Sequence, residues 1–180
     1  MRRPCLACLH RLPLLPRLAF FVVLLLMRQV RGAEPPAPID WAAVDQEALR
    51  HFQALVRLDT SDPPGNELPA VEYLKGVLEA EGVETKIFAL DPKHPNLVAR
   101  IRGSGAKRPL LIMGHTDVVN VDPKKWKHPP FSATREGGHI YGRGTVDDKD
   151  NVTAALMTVL LLKRSQTPLD FLYDIVVYYQ

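Results

Sequence analysis

Two short motifs carry the residue types that do chemistry. Gly114-His115-Thr116-Asp117 closes an apolar run, and Gly142-Arg143-Gly144-Thr145-Val146-Asp147-Asp148-Lys149 opens a helical one. Side chains two apart on a strand point the same way, so His115 and Asp117 share a face. That face lies near the carboxyl end of the run, where open α/β sheets place their ligand sites. Neutral imidazole is a common zinc ligand, and a ligating histidine usually gives its other ring N–H to an acceptor. A turn-capping pair is the plain alternative.

The second motif adds weight to the metal reading. Gly142 and Gly144 permit a tight turn that residues with a Cβ resist. Asp147 and Asp148 then stand together just before a helix. One aspartate would serve as an N-cap, stabilised by the helix end. Two side by side repel and would raise one pKa, which favours a cation as their partner.

The elements that must position these groups follow from pattern. Asp40 to Leu58 reads as a helix, with Trp41, Val44, Ala48, Phe52, Leu55 and Val56 at three- and four-residue steps. Asp59 to Asn66 is dense in turn formers. Pro69 to Glu81 reads as a second helix, with Val71, Leu74, Val77 and Leu78 on one face and Gly82 as its stop. Strands are expected over Val83–Leu90, Asn96–Arg102 and Pro109–Val119. The last is nearly all apolar up to Gly114, which suits a central strand buried on both faces. Asn120–His139 reads as a long connection, of the kind that is functional or disordered. A helix over Lys149–Arg164 turns Val152, Ala155, Leu156, Val159 and Leu160 inward, and Phe171–Gln180 reads as a last strand. Helices before and after strands point to a layered α/β domain.

In order and spacing these pieces resemble the co-catalytic di-zinc peptidases and deacylases. That family includes aminoacylase, acetylornithine deacetylase, succinyl-diaminopimelate desuccinylase, carboxypeptidase-like and carnosinase-like enzymes, and secreted fatty-acyl amino acid hydrolases. The resemblance rests on Asp59-Thr60-Ser61, Pro63-Pro64-Gly65-Asn66-Glu67, Asn96-Leu97-Val98-Ala99, both motifs above, and Trp126 with Pro130-Phe131. It implies a zinc-peptidase catalytic domain with a mixed, largely parallel central sheet. It implies zinc, two ions per complete site, with cobalt or manganese as alternatives. His115 matches the histidine that ligates one ion, and Asp147 the aspartate that bridges both. Asp117 matches the aspartate behind the histidine, a positioning group for catalysis. Asp148 receives no ligand role, and the peptide after Asp147 is often cis in the family. Trp126, Pro130 and Phe131 match structural loop anchors.

The implied reaction is metal-assisted hydrolysis of an amide bond in a small peptide or N-acyl amino acid, with a glutamate as general base. That glutamate belongs to an adjacent Glu-Glu pair, followed later by another acid and a histidine. Here no Glu follows Glu136 and no His follows His139. Residues 40–180 are therefore expected to be the N-terminal part of a catalytic domain, inactive alone, with a homodimer as one arrangement of the full-length form. The alternative is a non-catalytic secreted α/β fragment, or a degenerate copy with at most weak metal binding.

Charge and the N-terminal composition bound the remaining classes. The net charge of +3 arises in residues 1–33, which hold six of the 23 basic residues and none of the 20 acidic ones. Residues 34–180 carry 17 against 20, a net −3, and no basic patch suggests nucleic acid. A basic start, the ten apolar residues Leu18–Met27 and small residues at Gly32 and Ala33 read as a secretory signal over 1–33. The run is short of the roughly 20 residues a spanning helix needs, so a short N-terminal anchor is the only membrane role considered. Residues 34–39, rich in proline, read as a stiff spacer. Cys5 and Cys8 both lie in the leader, leaving no disulfide for the mature fold.

Overall fold

The computed structural model describes residues 38–165 and the backbone of 171–177. The leader and most of the spacer lie outside these residues. Three helices, α1 (Trp41–Arg57), α2 (Leu68–Ala80) and α3 (Lys149–Ser165), accompany eight strands. The strands are β1 (Ser61–Asp62), β2 (Glu84–Phe88), β3 (Asn96–Ile101), β4 (Lys107–Gly114), β5 (Val118–Val119), β6 (Thr134–Glu136), β7 (His139–Tyr141) and β8 (Phe171–Val177). Among the described residues no helix is long and apolar enough to cross a membrane.

Each helix starts and stops for a local reason. Asp40 caps α1, its carboxylate accepting from the N–H groups of Ala42 and Ala43 at 3.1 and 3.2 Å. Pro69 sits in the first turn of α2, where a missing N–H costs nothing. Gly82 ends α2 with φ +68° and donates to the Glu79 carbonyl, while Val83 donates to Leu78. On α3 the expected inward residues Val152, Ala155, Leu156, Val159 and Leu160 are all buried. At its far end Arg164 reaches Glu47 of α1 and Glu81 after α2, both at 2.6 Å.

The main sheet runs β2-β3-β8-β4. It is mixed, as expected; β4 and β8 are parallel, and the β2–β3 and β3–β8 pairs are antiparallel. Two small sheets flank it, a parallel β1–β5 pair and the β6–β7 hairpin. The core lies between the helices and one face of the main sheet. Leu97 and Ala99 of β3 enter it, with Leu55, Val71, Leu74, Leu78, Val152, Leu156 and Leu160 from the helices.

Three expectations need correction. β4 is not buried on both faces: it is the edge strand of the described sheet, and only Ile112 packs against the core. Its Leu110, Leu111 and Met113 are 48%, 53% and 55% exposed. Trp41 does not join the inward stripe of α1, since it occupies the first position, beyond the helices' contact, and is 61% exposed. The 120–139 connection is not structureless. It holds a 3₁₀ turn at Pro123–Lys125 and the β6–β7 hairpin, whose tip is Gly137-Gly138, both at positive φ.

Candidate metal centre

β4 delivers His115 to the floor of a cleft, and a close helix makes the placement specific. A Cβ on Gly114 would stand 3.0 Å from Val152 and 3.1 Å from Asp148, so the strand end packs directly on the start of α3. There the His115 backbone N–H donates to Asp148 Oδ2 at 3.2 Å. Asp148 is thus a tie between the start of α3 and the end of the strand. The following turn is held from the segment after α1: Thr60 donates its hydroxyl to the Thr116 carbonyl, and Val118 donates its N–H to the Thr60 carbonyl.

The His115 ring lies between two carboxylates. Nδ1 is 3.0 Å from Asp117 Oδ1, and Nε2 is 3.0 Å from Asp147 Oδ1. The structure therefore brings all three sequence-derived site residues together. Burial alone would disfavour the imidazolium. The charges of Asp117 and Asp148 and the hydrogen bonds to Asp117 and Asp147 outweigh it, raising the pKa above the ordinary value. The Asp147–Asp148 peptide is cis.

The turn carrying Asp147 is built by glycine and by a buried lysine. Gly144 has φ +83°, and a Cβ there would come within 2.8 Å of Val118 Cγ1. Lys149 is fully buried, and its ammonium donates to the Leu58 carbonyl at 2.7 Å, tying the start of α3 to the end of α1. Burial pushes that ammonium down to about 8, against the pull of Asp59 and Asp117. Glu67 is a second buried group that sequence pattern did not find. Its side chain is fully enclosed, and His94 Nδ1 lies 2.8 Å from its Oε2. Burial, the largest influence, raises the Glu67 pKa.

The cleft has a volume of about 530 Å³ and is lined by His115, Asp117, Asp147, Trp126, Tyr141 and Arg143 among others. One imidazole and one carboxylate, aimed into the same space, are donors that suit a divalent cation. Asp147 is open to that space, its side chain 87% exposed, so a second oxygen is free to bridge. Among the described residues no group of three or more His, Cys, Asp or Glu side chains could hold a metal. The donors present fit one half of a two-ion centre.

Comparison with known proteins places this architecture. Residues 111–175 match the model for Peptidase family M20/M25/M40. A probable succinyl-diaminopimelate desuccinylase of Staphylococcus epidermidis is 37% identical over 122 residues, 67% of this chain and 29% of that protein. An N-formyl-4-amino-5-aminomethyl-2-methylpyrimidine deformylase of Halalkalibacterium halodurans is 36% identical over 138 residues, 73% of this chain and 32% of that protein. A crystal structure of an M20 family metallo-carboxypeptidase from Sulfolobus solfataricus superposes with a TM-score of 0.65 at 29% identity, covering 73% of this chain and 30% of the other. The chain thus spans about 30% of the length of the relatives it matches. Across these matches the chain is similar to the M20/M25/M40 peptidase family.

Proposed function

We propose that this chain supplies one half of the two-metal centre of an amide hydrolase. The observation that carries the reading is the Asp117–His115–Asp147 array, with 3.0 Å on each side of one imidazole. In this reading His115 and Asp147 would hold the metal, zinc with cobalt or manganese as alternatives. Bound there, the ions would polarise the scissile carbonyl and make bound water acidic. The chain's own residues do the rest of what these 180 positions supply. Asp117 holds the Nδ1 proton and leaves the Nε2 lone pair facing the cleft. Asp148 fixes the His115 backbone, and Lys149 fixes the turn that presents Asp147. These 180 residues hold no Glu after Glu136 and no His after His139 to serve as the general base or later ligand that the resemblance implies.

The substrate is a small peptide or an N-acyl amino acid. The names of the relatives support that class, since desuccinylase, deformylase and carboxypeptidase each denote cleavage of a C–N bond to an acyl group. A full-length homodimer and export directed by residues 1–33 complete the reading. A second reading, a non-catalytic fragment with weak metal binding at most, draws support from the lack of a three-donor cluster among the described residues.

Zinc stoichiometry and affinity test the proposal. Equilibrium dialysis followed by metal analysis should show zinc bound by the unaltered chain and lost in both His115→Ala and Asp147→Ala. Equal loading of all three forms would sink the assignment. Weak loading that ignores both substitutions would favour the second reading.

A further inference from the structure

The wall of the cleft carries a cation that the chemistry above does not use. Arg143 faces the same space as His115, Asp117 and Asp147. Its guanidinium carbon lies 5.2 Å from the centre of the Trp126 ring. Such stacking steadies the guanidinium plane while leaving its edges free to donate. The backbone is held as well, with the Arg143 N–H donating to the Pro130 carbonyl at 2.7 Å. The preceding Gly142 makes that approach feasible, since a Cβ there would overlap Val56 and stand 3.2 Å from the same carbonyl.

What the guanidinium lacks is an acceptor. Arg143 Nε is buried with no hydrogen-bond partner. Neither acid lining the cleft, Asp117 or Asp147, hydrogen-bonds to it. Asp117 and Asp147 flank the His115 ring, and Asp148 accepts from the His115 backbone. A buried donor without a partner is destabilising, and a ligand oxygen would satisfy it. The flat, forked edge of a guanidinium matches a carboxylate through two parallel hydrogen bonds. We propose that Arg143, braced by Trp126, is the recognition residue for a carboxylate of the substrate, the amide of which reaches His115 and Asp147 in the same cleft. The inference rests on the amide-hydrolase reading for the word substrate, but carboxylate binding at Arg143 is measurable without zinc.

The test follows the Arg143 Nε–H and Trp126 indole N–H resonances of the full 180-residue chain by NMR. Succinate, its neutral diamide and inorganic phosphate are each titrated with and without zinc. Succinate should move both resonances saturably, with the diamide inert and phosphate clearly weaker. Arg143→Gln should weaken succinate by about ten- to a hundredfold, the range for a charge-assisted pair. Should that variant fail to fold, Arg143→Lys keeps the charge without the fork and should still lose affinity. No response to succinate, an equal response to the diamide, phosphate binding as tightly as succinate, or full affinity in Arg143→Lys would each overturn the proposal. A succinate response without zinc binding in any condition would leave the carboxylate site standing and sink the metal centre. Zinc binding without a succinate response would do the reverse.

Discussion

Replacing Asp117 with Asn isolates what its charge does for His115. The two groups are 3.0 Å apart, and their side chains are 27% and 38% exposed, so solvent weakens the coupling without removing it. A carboxylate only accepts, so Asp117 keeps a proton on Nδ1, and a metal that replaced the Asp147 hydrogen bond at Nε2 would meet the lone pair of that tautomer. Asn keeps nearly the same shape but loses the charge. Its amide also turns readily to offer N–H, which admits the other tautomer. Groups placed behind a ligating histidine typically contribute about ten- to a hundredfold in metal affinity. The exposure of this pair puts Asp117→Asn at the low end, about tenfold or about 1.4 kcal/mol. The assay is competition for zinc against a calibrated chelator at fixed pH and ionic strength, with thermal unfolding run in parallel. The Asp117 charge is also the largest influence raising the His115 pKa, so the histidine titration in the metal-free variant should move down. An affinity within about twofold of the unaltered chain, with an unmoved titration and an intact fold, would refute the orienting role.

Two further substitutions test the scaffold beneath the site. Gly144→Ala puts a Cβ at φ +83° and within 2.8 Å of Val118, and should cost about 2–4 kcal/mol in denaturant unfolding; a loss below about 1 kcal/mol would mean the turn adapts freely. Glu67→Gln tests a sign: burial raises the folded-state pKa of Glu67, so its protonated form stabilises the fold at low pH and that contribution is lost as pH rises through the raised value. The stability of the glutamine variant relative to the unaltered chain should therefore improve as pH climbs above the ordinary carboxyl range, and a relative stability that is flat or falls with pH would reverse the assignment.

Much of the site was legible because its signals are local. Period two at a strand end put His115 and Asp117 on one face; the expected strand Pro109–Val119 is in fact split into β4 and β5, and the turn between them brings the two side chains to 3.0 Å. The helix that follows Asp147 was legible from the apolar steps of α3, whose inward residues are set by solvent exclusion. The meeting of His115 with Asp147, 32 residues apart, came through resemblance, since periodicity says nothing about which turns adjoin. The β6–β7 hairpin was missed although Gly137-Gly138 is a hairpin turn signal, because the flanking strands are three residues each and too short to show alternation. Lys149 was unreadable for a different reason. A lysine in a first turn ordinarily faces water, and its burial is decided by a carbonyl at Leu58, far back in the chain.

β4 shows why composition and position come apart. A run such as Pro109–Gly114 states that a strand needs apolar cover, and nothing in the run says which surface provides it. In the described sheet the cover comes from one side, through Ile112, and Leu111 and Met113 are left open on the other. An apolar edge strand with unpaired backbone is a pairing template, and proteins rarely leave one uncovered. The same strand ends next to His115, where the described residues form no three-donor group. Under the reading proposed above the two gaps adjoin: any surface that covers the open edge of β4 would run past its carboxyl end, within reach of Asp147.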